Sequence, residues 1–144
     1  IKLILNKFKF KFKWKKMNDK KPKKYIIDSF KTLADASLKD ADYNTSLKYC
    51  KKLNDYYKKI NPDNQHHPDI IQSIDKIGIV NYKKGDYNEA IKYFEKSLEI
   101  KKIVYDDDPN NPAIGNSLSN IGNAYFKKAN YNKAFEYHEK SYEI

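Results

Sequence analysis

Gly85-Asp86-Tyr87-Asn88-Glu89-Ala90 returns as Ala129-Asn130-Tyr131-Asn132-Lys133-Ala134, and a fainter Ala41-Asp42-Tyr43-Asn44-Thr45-Ser46 precedes both. The three tyrosines lie 44 residues apart, and the same offset joins Gly78 to Gly122, Ala90 to Ala134, Tyr93 to Tyr137, Ser97 to Ser141 and Ile100 to Ile144. A constant period in this range marks units that bury their apolar faces only by stacking on one another. The chain therefore reads as a solenoid that presents a surface, in units of 25–67, 68–111 and 112–144. The last unit stops short of the length of the second, so the module reads as truncated.

Each unit reads as two helices. Ile70, Ile71, Ile74, Ile77 and Gly78 recur at spacings of three and four, which put them on one side of a helix opened by Pro68 and Asp69. Lys84-Gly85 suits a left-handed stop, Asp86 suits the next N-cap, and Glu89 three residues on predicts a capping box. The following helix carries Tyr87, Ala90, Ile91, Phe94, Ser97 and Leu98 on one face and runs to about Tyr105. Unit three repeats the plan with Ile114, Leu118, Ile121 and Gly122, then Tyr131, Ala134, Phe135, His138, Ser141 and Tyr142. Unit one is weaker, with Ile26, Ile27, Phe30, Leu33 and Ala34, then Tyr43, Leu47, Cys50 and Leu53. The fold class that follows is all-α, an antiparallel helix-pair superhelix of about three repeats. Small residues at Gly78, Gly122, Ala90 and Ala134 allow paired helices to cross closely, with Tyr87, Phe94 and Tyr131 filling the adjacent space.

Charge is unevenly placed. Residues 1–24 hold 11 of the 29 basic residues and one of the 19 acidic ones, which accounts for the net charge of +10; residues 25–144 carry 18 of each sign. Every basic residue is Lys, so the planar guanidinium fork that reads guanine edges is absent, and specific nucleic-acid recognition by the repeats is not expected. Cys50 is the single cysteine, which excludes an intrachain disulfide and points to a reducing, cytoplasmic setting. No apolar run reaches the roughly 18 residues of a membrane span.

Phe8-Lys9-Phe10-Lys11-Phe12-Lys13-Trp14 alternates with period two, as a strand would. As protein, residues 1–24 would be a disordered basic segment with weak polyanion contact. Alternatively, residues 1–16 are conceptual translation of an A/T-rich simple repeat upstream of a start at Met17.

The repeating residues resemble the tetratricopeptide repeat family, through Ile77-Gly78, Gly85-Asp86-Tyr87, Ala90, Phe94 and Ser97 in unit two and Ile121-Gly122, Tyr125, Tyr131, Ala134 and Ser141 in unit three. The long period, His67-Pro68-Asp69 and the ending Tyr137-His138-Glu139-Lys140-Ser141-Tyr142-Glu143-Ile144 are similar to the extended repeats of kinesin light chains. Asn81 departs from the first-helix Tyr, and Ala34, Ser37, Ala41 and Ser46 occupy signature positions in unit one. The resemblance implies a noncatalytic scaffold whose concave groove, lined by first helices, accepts a protein or peptide partner. It implies groove positions at Gln72, Asp75, Lys76, Ile79, Tyr82 and Lys83, and at Asn116, Ser119, Asn120, Asn123, Phe126 and Lys127. Asn120 and Asn123 match the positions that hold a partner backbone, since each amide both donates and accepts; Tyr82 and Phe126 suit packing on the next unit equally well. The alternative is a docking or regulatory region of a larger enzyme or signalling protein.

Nothing in the pattern points to chemistry. No glycine-rich phosphate loop or Ser-His-Asp arrangement occurs, Asp106-Asp107-Asp108 lacks calcium-loop spacing, and the helix start accounts for His66-His67 without a metal. Neither a catalytic residue nor a cofactor is expected. Cys50, which aligns with Phe94 and His138, reads as a small packed residue.

Overall fold

A computed structural model describes residues 23–144, all of whose regular structure is helical: α1 (Lys23–Lys39), α2 (Tyr43–Ile60), α3 (Pro68–Lys84), α4 (Tyr87–Val104), α5 (Pro112–Lys127) and α6 (Tyr131–Tyr142). The expectations for residues 1–16, Met17 and most of the basic segment lie outside the described residues. Each helix packs on its neighbours in chain order, so the six form the predicted solenoid of three pairs.

The turn within each pair is one device used three times. Ala41, Gly85 and Ala129 adopt φ values of 56°, 87° and 56°, the left-handed conformation that ends a helix. The following residue then serves two helices. The N–H groups of Asp42, Asp86 and Asn130 donate back to the carbonyls of Ser37, Asn81 and Tyr125 at 2.8, 2.9 and 3.0 Å. Their side chains accept from Thr45, Glu89 and Lys133 N–H groups, capping the next helix.

The capping box expected at Asp86 and Glu89 is only half made. Asn81 already takes the Asp86 N–H, so the Glu89 carboxylate turns to Lys92 Nζ at 3.4 Å. Pro68 and Pro112 open α3 and α5, with His67 Nδ1 and Asn111 Oδ1 accepting from the second backbone N–H inside each helix.

The crossing within each pair is set by volume. A Cβ built on Gly78 would stand 2.6 Å from Phe94 Cε1, and one on Gly122 would stand 2.9 Å from His138 Cε1. One period earlier, Ala34 and Cys50 share a buried cluster with Ile77 and Val80. A smaller partner in α2 therefore leaves room for a methyl group in α1. Burial also holds the Cys50 thiol above its usual pKa range.

Tyr131 departs from its expected packing role, being 60% exposed and resting edge-on against Phe126. Its counterpart Tyr87 packs likewise on Tyr82, but there α5 adds a cluster against which Tyr82 is packed.

Candidate functional site: the face of the first helices

The first helices gain their positions from the apolar stripes just described, which leave a second stripe of α1, α3 and α5 away from the second helices. On α3 this stripe meets α1 and α2 around a cleft of about 410 Å³. Leu38, Leu53, Tyr57 and Ile79 give it apolar walls, while Lys31, Gln72, Ser73, Asp75 and Lys76 supply polar groups.

Of the positions expected from sequence, Gln72, Asp75, Lys76 and Ile79 come together here. Tyr82 does not: it stacks edge-on with Tyr87 at 5.6 Å and packs on the core between units two and three. Phe126 meets Tyr131 in the same way, yet 56% of it is exposed. Lys83, Asn116, Asn123 and Lys127 are exposed along α3 and α5, and Ser119 and Asn120 are half-buried. The unit-three residues do not line the cleft.

Lys31 and Leu38 were missed by the sequence reading, although they stand one period before Asp75 and Tyr82. Extending the register into unit one would have found them; its degenerate signature hid the signal. Leu53 and Tyr57 come from α2 and required the tertiary structure.

Charge at this face is largely paired. Lys76 Nζ binds Asp35 Oδ1 across α3 and α1. Lys101, at the end of α4 and only 8% exposed, donates to Asp75 Oδ2 and to Ser117 Oγ, both at 2.8 Å. That buried bridge joins α3, α4 and α5. Asp75 Oδ1 has no hydrogen-bond partner and is closed to solvent. In unit one the corresponding pair is Lys31 and Tyr57, whose hydrogen bond raises the Lys31 pKa above its usual value. A cation that is desolvated is costly unless paired, so Lys101 is better read as a structural tie than as a ligand contact.

The profile described as tetratricopeptide repeat matches residues 69–144. The chain belongs to the tetratricopeptide repeat family. Its fold is similar to the crystal structure of the TPR domain of Arabidopsis FLU, with a TM-score of 0.67 and 18% identity over 83% of this chain and 94% of that one. No curated protein matches. As a tetratricopeptide repeat protein, the chain carries a fold whose general use is noncatalytic protein–protein interaction. Among the described residues, no helix is long and apolar enough to cross a membrane, and no group of His, Cys, Asp or Glu could hold a metal ion.

Proposed function

We propose that this chain is a noncatalytic cytoplasmic scaffold, of the extended repeat variety seen in kinesin light chains, which binds an extended or helical segment of a partner protein along its first-helix face. The observation that supports this reading most directly is the cleft between α1 and α3, with apolar walls and polar groups at register positions of that face. Leu38 and Ile79 would take an apolar partner side chain, while Gln72, with Asn116, Asn120 and Asn123 farther along, would hold partner backbone amides. Lys83 and Lys127 would favour an acidic neighbour. Lys76 would contribute only after leaving Asp35.

A random peptide library displayed on phage tests the reading. Ligands selected on the natural chain should bind at least about tenfold more weakly to Ile79→Asp and to the Asn120→Ala, Asn123→Ala double variant, with helicity unchanged. Equal binding by both would put the recognition surface elsewhere.

A further inference from the structure

With the first-helix groove as the partner site, a reading on which this inference rests, we propose that Asp35 is an internal stand-in for a carboxylate of the partner. It occupies Lys76 in the free chain, and a segment that docks in the cleft displaces it with an Asp or Glu of its own.

The two walls of the cleft carry matching stripes. On α1, Lys31, Asp35 and Leu38 stand at i, i+4 and i+7, and on α3 Gln72, Lys76 and Ile79 do the same. Lys31 and Leu38 line the cleft from one side; Gln72, Lys76 and Ile79 line it from the other. The ion pair of Lys76 with Asp35 therefore joins the two walls midway along.

The charges of the cleft call for an anion. Three of its lining side chains are ionic, Lys31, Asp75 and Lys76. Asp75 is already answered by Lys101 at 2.8 Å, which leaves two ammonium groups. Lys31 is held mainly by the neutral Tyr57 hydroxyl, with Asp69 and Asp28 acting on it more weakly, and Lys76 has Asp35. Apolar walls from Leu38, Leu53 and Ile79 around two cations fit a segment that sets a carboxylate beside an apolar side chain.

Two observations make Asp35 the member that yields. Its side chain is 58% exposed against 29% for Lys76, so it returns to water at little cost while Lys76 stays in the wall. The stacking of units does not require the pair either. One period on, the same two positions hold Ile79 and Asn120, which cannot form an ion pair. Units two and three stack nonetheless, through Ala90, Phe94, Ile114 and Ile121. What the first junction adds is occupancy of Lys76.

The test uses peptides selected from phage on the natural chain, each synthesised with its Asp and Glu residues and again with Asn and Gln in their place. Calorimetry should show the acidic form binding Asp35→Asn about two- to fivefold more tightly than the natural chain, the range that one exposed ion pair spans. The gain should vanish with the amide form and in the Lys76→Met background. On the natural chain one ion pair replaces another, so affinity should fall less steeply with added salt than on Asp35→Asn. Asp35 is exposed and Lys76 half-buried, so circular dichroism should show unchanged helicity in each variant. Peptides that lose binding to Ile79→Asp yet bind Asp35→Asn no more tightly than the natural chain overturn the stand-in and leave the groove reading in place. A gain that persists in Lys76→Met also overturns it, since a general change of charge then accounts for the effect. So does a selection that returns no acidic peptide. Peptides indifferent to Ile79→Asp overturn both readings.

Discussion

Units one and two fill the same helix crossing with different atoms. In unit two a glycine faces a phenylalanine, Gly78 against Phe94, with no room for even one added carbon. In unit one the same register holds Ala34 and Cys50, both buried to 1% exposure or less. What the repeat preserves is therefore the combined volume at the crossing and not either residue. A mutation at one side should be judged by what stands opposite.

That view can be broken most decisively by removing the larger partner. Phe94→Ala should cost about 3–5 kcal/mol in denaturant unfolding because it opens a cavity, while Cys50→Ala should cost no more than about 1 kcal/mol. Gly78→Ala should cost about 1–3 kcal/mol by overpacking, and Phe94→Cys added to it should recover much of that loss, since the pair then copies unit one. Simple additivity of the two changes would contradict the shared-volume account.

The polar ties between units sharpen the comparison at a smaller scale. Unit two uses Asp75 with Lys101, and unit one puts Lys31 and Tyr57 at the corresponding positions. Lys101→Met should destabilise the chain by about 1–3 kcal/mol, because Asp75 and Ser117 both lose their donor in a buried place. Lys31→Met should stay within about 0.5 kcal/mol, as the ammonium group is mostly solvated. Comparable losses in urea unfolding would show that the two ties are equivalent after all.

The turns give the smallest contrast. Ala41 and Ala129 hold the left-handed conformation that Gly85 adopts without strain. Ala129→Gly should raise stability by about 0.5–1 kcal/mol, and Gly85→Ala should lower it by a similar amount. Thermal melts that move the other way would mean that the loss of backbone freedom at glycine outweighs the strain relieved.

Much of the fold was legible in the sequence. The buried positions Ile70, Ile71, Ile74, Ile77, Ala90, Ile91, Phe94, Ser97 and Leu98 are those that the period of three and four assigns to one face. Spacing records a helix face directly, which is why these readings and the turn signals carry over. The capping box misled because the motif describes two hydrogen bonds in isolation, and the stop of the preceding helix had already taken one donor. Lys101 was missed for a similar reason: a lysine near a helix end looks solvated until a carboxylate from another helix and a serine from a third converge on it.

The candidate groove was less legible than the core. Register alone names the stripe that faces away from the second helices, and four of its positions, Gln72, Asp75, Lys76 and Ile79, line the cleft. It cannot tell whether a side chain on that stripe is engaged. Tyr82 is drawn into packing by Tyr87 and by the following unit, and Lys76 is held by Asp35 from the unit before. Those partners lie 41 residues away in the case of Lys76, beyond any local pattern.

By itself, then, the sequence determined the unit, its period, the two helix faces and the turns, because each follows from contacts within a few residues along the chain or from repetition of one pattern. Only the tertiary structure decided which charges are paired, where the cleft opens and which aromatics remain uncovered. Those properties depend on how neighbouring units meet, and that geometry arises from packing between side chains far apart in sequence.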